Sequence, residues 1–355
     1  MTGTEVPPAG PASPASPTAD GRTITNAHPA LRRYWHPVAL VHQVTEEPTR
    51  VVVCGEPLVV VRLADRITVL PDRCPHRSAP LSAGRVVDGH LECPYHGWRF
   101  DTDGGCRLIP ALGEGATVPP RSHLVAPAVR EAYGMVLVCL EPGAEEPPLL
   151  PFPEWDAPGI VAVWLPVVQT RGGGAQLLDN FLDFTHFPFV HAGTFGAGED
   201  AVVGEYEVHH DDHSLLVRYE HVVENTEDPL VATGEHPLLQ PRCMEYTFSV
   251  PFTGRLRLEL PLTGVENTIL FWASPVDADH SRVFCALLRN DVTGPDDPAA
   301  EEAAEYEMRV LAEDLWLLRQ LPTTGLPLDL PAQAHTRADR ITVEMRRLLA
   351  TMVDG

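Results

Sequence analysis

Two short stretches, Cys74-Pro75-His76 and Cys93-Pro94-Tyr95-His96-Gly97-Trp98, constrain this 355-residue chain more than any other feature. Each sets one thiol near one imidazole at loop spacing, and sixteen residues separate the two sets. Four such ligands ask for a metal and for a fold that presents two loops side by side. Zn²⁺ accepts two Cys and two His. A [2Fe–2S] cluster accepts them as well, with both thiolates on one iron and both imidazoles on the other. Zinc sites usually pair like ligands, whereas each loop here mixes them. Pro-His and Pro-Tyr-His-Gly-Trp are also unlike zinc-ribbon loops. The mixed set favours the iron–sulfur cluster over zinc.

Cys-x-His followed by Cys-x-x-His is the ligand pattern of a Rieske centre. On these residues the chain resembles the large (α) oxygenase subunits of the Rieske non-heme iron oxygenases, over most of residues 31–325. High-potential respiratory Rieske proteins carry an extra Cys in each loop, joined as a disulfide. By that resemblance the corresponding positions here are Ala79 and Tyr95, and Trp98 replaces the hydroxyl residue after the second-loop glycine. Fewer hydrogen-bond donors near the sulfurs imply a potential toward the lower end of the Rieske range.

The expected fold class is α+β. Short Val-, Ile- and Leu-rich runs with Gly, Pro and Asp breaks (Arg50–Cys54, Leu58–Leu63, Ile67–Leu70, Met135–Leu140) predict an all-β domain with its two metal loops at hairpin tips. A Pro-rich joint, Pro142 to Pro158, follows it. Beyond it, strands are expected at Tyr206–His209, Leu215–Tyr219, Glu245–Val250, Leu256–Leu260, Thr268–Ala273 and Arg282–Arg289. The last helix is expected to start at Asp296 or Asp297 as N-cap, with Pro298 in its first turn, and to stop before Pro322. Periodicity supports only α+β here. The resemblance implies a helix-grip (START/Bet v1-like) catalytic domain, a curved antiparallel sheet wrapped on a long helix. The expected division is a Pro/Ala-rich disordered tail over 1–30, a Rieske [2Fe–2S] domain over 31–145 and a catalytic mononuclear iron domain over 146–355.

The second expected centre lies in Asp179-Asn180-Phe181-Leu182-Asp183-Phe184-Thr185-His186-Phe187-Pro188-Phe189-Val190-His191. Asn180, Asp183 and His186 are spaced i, i+3, i+6, so a helix stacks them on one face. Pro188 is expected to break that helix and let His191 turn back toward the metal that His186 faces. Two imidazoles plus one carboxylate make the facial triad of non-heme Fe(II). The third ligand is sought in the last helix. Asp314 has Val310, Leu311, Leu317 and Leu318 at i±3 and i±4, and a carboxylate in that apolar face is costly without a cation. Glu313, beside Arg309 and Trp316, is expected at a solvated edge in a helical ion pair. The family pattern resembles Glu-Asp-x₅-Gln, matched by Glu313, Asp314 and Gln320. The resemblance assigns Asp183 a bridging role: it hydrogen-bonds a Rieske histidine of a neighbouring subunit and a histidine of the mononuclear site. A bridge across subunits implies a ring, most simply a homotrimer.

All 26 basic residues are Arg. Residues 31–140 hold twelve Arg against eleven acids, and residues 141–355 hold thirteen against thirty-six. A nucleic acid is a poor partner for a chain of net charge −23. An acidic ferredoxin docks more easily on the first domain, where Arg62, Arg66, Arg73, Arg77, Arg85, Arg99 and Arg107 surround the loops in sequence, although ordinary solvated surface is the preferred reading of them, since sequence proximity does not make a patch. No apolar run is long enough to span a membrane. The N-terminus shows no basic-then-apolar leader pattern, and the seven Cys are scattered. A cytoplasmic location with reduced thiols is therefore expected. His209-His210-Asp211-Asp212-His213 reads as an exposed turn. Phe248, Phe252, Trp272 and Phe284 read as core before cavity lining, and Arg255 with Arg257 as surface before a carboxylate clamp.

Taken together, the resemblance implies a terminal oxygenase. It receives electrons from NAD(P)H through a separate ferredoxin or flavin reductase and uses O₂ to oxygenate a small organic molecule, by hydroxylation or oxidative demethylation before cis-dihydroxylation. The alternative is a Rieske electron-transfer protein whose second domain binds a small molecule without oxygen chemistry.

Overall fold

The computed structural model describes residues 22–355 apart from 114, 145, 146, 148, 197, 198, 226 and 227. The tail expected over Met1 to Gly21 lies outside the described residues. Residues 22–30, assigned to that tail from sequence, are instead part of the fold. β1 (Thr23–Ile24) pairs antiparallel with Leu326–Pro327, and Asn26 is buried with its Nδ2 donating to the His280 carbonyl at 2.8 Å.

The first half is all β, as its β-branched runs predict. β2 (His36–Leu40), β3 (Thr49–Val53), β4 (Glu56–Leu63) and β5 (Arg66–Pro71) are followed by β6 (Arg85–Val87), β7 (His90–Glu92), β8 (Arg99–Phe100) and β9 (Cys106–Leu108), then β10 (Ala128–Ala132) and β11 (Met135–Cys139). They form three antiparallel sheets, β3-β4-β5, β6-β7-β8-β9 and β10-β11-β2. The Cys93 loop caps the β7–β8 hairpin. The Cys74 loop does not sit at a hairpin tip: it leaves β5 and carries the chain across to the second sheet.

The second half is one antiparallel sheet gripping helices. β12 (Val161–Trp164) and β13 (Val168–Arg171) lead into α1 (Gly174–Leu182) and α2 (Phe187–Val190). β14 (Val208–His210), β15 (Ser214–Glu224), α3 (Pro229–Thr233), β16 (Leu239–Ser249), β17 (Thr253–Leu260), β18 (Val265–Pro275) and β19 (His280–Arg289) follow. α4 (Pro298–Leu318), β20 (Leu326–Pro327) and α5 (Arg340–Asp354) complete the order. The sheet runs β12-β19-β18-β17-β16-β15-β14, with β13 also on β19. α4 starts as its sequence asks: Asp297 Oδ1 accepts from the Ala299 N–H at 3.0 Å, and Pro298 occupies the first turn. It is not the last helix, since α5 follows.

Alternation decides which side of the sheet faces what. Odd-numbered Phe271, Ala273, Val283, Cys285 and Leu287 look into the grip and pack with α1, α4 and α5. α1 alone buries Leu177, Leu178 and Leu182 there, each worth about 1.5–3 kcal/mol relative to exposure. Even-numbered Leu270, Trp272, Phe284, Ala286 and Leu288 look outward and pack against Leu40, Met135 and Leu137 of the first half. Trp272 and Phe284 are thus core between the halves, whereas Phe248 and Phe252 belong to the core inside the grip. Arg255 is not surface: it is buried and ion-paired to Glu154 and Glu245, which anchors the joint onto the sheet. Arg257 pairs with Glu259 and Glu266. The 209–213 stretch is an exposed hairpin turn, with Asp211 Oδ1 accepting from the His213 and Ser214 N–H groups.

Candidate metal centres

The two Cys/His loops share one backbone design. The Cys74 N–H donates to the Ala79 carbonyl at 2.8 Å, and the Cys93 N–H to the Trp98 carbonyl at 2.8 Å. Each cysteine carbonyl accepts from the residue four positions on, Ser78 at 2.9 Å and Gly97 at 3.1 Å. Those two residues have positive φ, 58° and 68°, which closes each loop; glycine takes that region freely, and serine is held there by the hydrogen bonds. The loops meet. The His76 and His96 rings are 4.4 Å apart, and His76 stacks on Trp98 at 4.8 Å. Both cysteines are buried, while His96 and Tyr95 are exposed at the tip.

The donors fit a Rieske cluster. Burial pushes the Cys74 thiol up to about 11, despite the opposing His76 N–H; the neighbouring Cys93 raises it further. A buried sulfur of that kind is held as thiolate by a bound cation. His76 Nδ1 is buried with no hydrogen-bond partner, an atom left for a metal. Among the described residues one group of three ligand atoms falls within 4.8 Å, and it is not this one. Of the arginines around the loops, Arg66, Arg85, Arg99 and Arg107 are paired with acids of the same domain.

That compact group is His186, His191 and Asp314. The Nε2 atoms of the histidines are 3.1 Å apart, and Asp314 Oδ1 stands 3.4 and 3.2 Å from them. Ligands on one face of an octahedron with bonds of roughly 2.1 Å sit about 3 Å apart, so the spacing is that of a facial triad. Burial lowers the basicity of His186, but Asp183 and Asp314 overcome it and raise the group to about 9. His191 is shifted upward in the same way by Asp314 and Glu313 against burial. Asp314 is pushed up by burial and pulled lower overall by the two histidines. The carboxylates call for positive charge between them, which a divalent cation supplies.

The local path differs from the expected one. α1 ends at Leu182, so Asn180 is helical while Asp183 caps the end and His186 lies beyond it. Asp183 Oδ1 accepts from the Thr185 N–H at 2.7 Å and its hydroxyl at 2.6 Å, a turn that competes with the helix. Pro188 does not break a helix; it sits in the first turn of α2, where no N–H is needed. His186 precedes α2 and His191 ends it, which brings both rings to one metal position. Asn180 Nδ2 donates to Asp314 Oδ1 at 3.2 Å.

Behind the triad each imidazole has its own carboxylate. His186 Nδ1 faces Asp183 Oδ2 at 3.4 Å, and His191 Nδ1 bonds Glu313 Oε2 at 2.8 Å. The Glu313 bond fixes the His191 tautomer and aims its Nε2 at the metal, whereas Asp183 stands beside a His186 Nδ1 that has no hydrogen-bond partner. Glu313 is therefore not the solvated ion-pair residue that the sequence suggested. It also accepts from Thr194 Oγ1 at 2.9 Å, while Arg309 lies over the Tyr306 ring. Consecutive acids on one helix, serving two histidines, were the signal for it.

Residues 154–355 match the vanillate O-demethylase oxygenase C-terminal domain, and residues 34–124 match the Rieske [2Fe-2S] domain. The methylxanthine N3-demethylase NdmB of Pseudomonas putida is 31% identical over 336 residues, 89% of this chain and 88% of its own length. The chain is a Rieske non-heme iron oxygenase. Solved structures agree on the fold: Pseudomonas putida CBB5 NdmA with caffeine superposes with a TM-score of 0.76 at 26% identity, covering 92% of each chain. Dicamba monooxygenase bound to 3,6-dichlorosalicylic acid gives 0.75 at 20%, covering 91% and 98%. As a family member this oxygenase works with a [2Fe–2S] cluster, mononuclear iron and O₂, takes electrons from NAD(P)H through partner proteins, and oxidises a small molecule. The electron-carrier alternative is not favoured. No helix among the described residues is long and apolar enough to cross a membrane.

Proposed function

We propose that Cys74, His76, Cys93 and His96 hold the cluster, that His186, His191 and Asp314 hold the mononuclear iron, and that the reaction is a monooxygenation, oxidative demethylation or hydroxylation, of a small organic substrate. The observation that carries the reading is the convergence of His186, His191 and Asp314 within 4.8 Å in a chain that also carries the matched Cys/His loops. The iron, once bound, supplies the activation of O₂ beside substrate. This chain's residues orient the imidazoles through Asp183 and Glu313, hold Asp314 through Asn180, and keep water from the buried His191 side. Demethylation is the preferred outcome by analogy with the demethylases that the chain resembles.

The same reading divides the chain near residue 145 and assembles it as a homotrimer. The first half packs on the outer face of the catalytic sheet, whereas the triad lies on the inner side with α1, α2 and α4. A cluster delivering electrons around that wall is better placed against the triad of a neighbour. Phe189 and Trp316, 72% and 65% exposed, flank the triad in sequence and suit a protein partner. Asp183 is the bridge, since its Oδ2 already faces His186. A cytoplasmic location and a ferredoxin or flavin reductase as donor complete the proposal.

The test is iron and acid-labile sulfide per chain on anaerobically purified protein. About three iron to two sulfide is expected. Two to two, unchanged by added Fe(II), would leave an electron carrier, and zinc without sulfide would overturn both centres.

A further inference from the structure

Inside the grip, the face of β15 and β16 turned toward α1 carries a polar group that neither metal centre uses. His221 and Arg242 stand opposite each other in register. Arg242 Nη2 donates to Glu199 Oε1 at 2.5 Å and lies 2.8 Å from His221 Nε2. The three side chains are 13%, 7% and 14% exposed for Arg242, Glu199 and His221. Tyr246, on the same face of β16, is fully buried and feels the charges of Arg242, Glu199, Asp183 and Asp314. A ladder of rings joins this group to the iron-binding segment. His221 stacks on Tyr219 at 5.0 Å, Tyr219 on Phe184 at 4.9 Å, and Phe184, next to Asp183, lies 5.9 Å from Tyr246.

Three polar atoms here have no partner although they are buried: Tyr246 Oη, Arg242 Nε and His221 Nδ1. His221 Nε2 faces both the Arg242 donor and Glu199 Oε2, the latter at 3.4 Å, so its Nδ1 donates or accepts according to the tautomer, whereas Tyr246 Oη and Arg242 Nε carry a proton in either case. Tyr246 Oη and Arg242 Nε are thus buried donors without an acceptor. A buried donor left unmet costs more than its bond would gain, so these atoms point to an acceptor that arrives from outside the chain. Glu199 already neutralises Arg242, and Asp183 and Asp314 are close enough to act on Tyr246. An incoming carboxylate would face those acids in a buried place.

We propose that Tyr246 and Arg242 hold neutral acceptor groups of the substrate, carbonyl, ether or ring nitrogen, with His221 beside them, while the reacting end lies at the His186/His191/Asp314 site. The inference rests on the oxygenase reading and deepens it, by naming the substrate as an uncharged molecule rich in acceptors. Calorimetric binding of 4-methoxybenzamide and 4-methoxybenzoate tests it, because the two match in size and differ in charge. The full chain is used, verified at about three iron to two sulfide. The amide is expected to bind at least about tenfold tighter than the benzoate, and Tyr246→Phe to weaken the amide about tenfold with iron and sulfide unchanged. Without the amide, Tyr246→Phe should melt no lower than the parent, since it removes an unmet group. Equal or tighter benzoate, binding of neither, an unchanged amide affinity in the variant, or a lower melting point without amide would each overturn the proposal. A preparation with two iron to two sulfide would instead fail the oxygenase reading beneath it.

Discussion

The two metal centres are built on opposite plans. The proposed cluster ligands come from loops spanning a few residues each, closed by the same pair of backbone hydrogen bonds, with His96 exposed and His76 half-buried. The proposed mononuclear ligands come from α2's two ends and from α4, more than a hundred residues later, with outer carboxylates beside both imidazoles. A local site tolerates changes elsewhere in the fold; a site assembled over distance depends on everything that sets the distance.

The sharpest way to break that contrast is Asp314→Asn. It should abolish the mononuclear iron and the oxygenation together, with the Rieske absorbance and two sulfides per chain intact. Metal analysis beside the visible spectrum decides it, and loss of the cluster as well would show that the centres are not independent.

Next in size is an acid limb in the first half. His36 is buried with Nε2 on the Leu31 carbonyl at 2.7 Å, and burial lowers it to about 4 from an ordinary 6.5. The unfolded chain binds that proton first, so this stability is whole above pH 6.5 and is lost as pH falls toward 4. It amounts to about 3 kcal/mol, an order-of-magnitude value. Urea unfolding between pH 4 and 7 should show a slope that His36→Gln flattens; an equal slope in the variant would assign the limb elsewhere.

The smallest effect sharpens the contrast. Glu313→Gln leaves every ligand in place and removes one aiming charge, so iron affinity should fall roughly 10–100-fold with no change in the cluster. An unchanged affinity on Fe(II) titration would mean that His191 is held by its packing alone, against Phe195 at 4.8 Å.

Legibility followed the same divide. Cys74, His76, Cys93 and His96 could be read directly because their spacing is local, and the β-branched runs located strands to within a few residues in the first half. In the second half, β15 and β16 extend well beyond the runs read for them, to Glu224 and from Leu239. Asp314 was reachable because an acid among Val310, Leu311 and Leu318 demands an explanation. Glu313 was misread because Arg309 one turn back offered a partner, while its true partner, His191, is 122 residues away. Arg255 failed for the same reason, since Glu154 lies across the joint. α5 went unread, although Ile341, Met345, Leu348, Leu349 and Met352 already show a helical period and are all buried.

α5 also sets a clock. Its buried Arg346 grips Asp179 with both Nη atoms, the second at 2.8 Å, and so clasps α1 beside Asn180 from 167 residues downstream. As the chain emerges during synthesis, the cluster loops have all their neighbours early, but that clasp cannot close until α5 exists. The helix that carries Asn180 is thus fastened only after α5 has been made, whereas the core around the cluster loops draws on residues 59–126 alone.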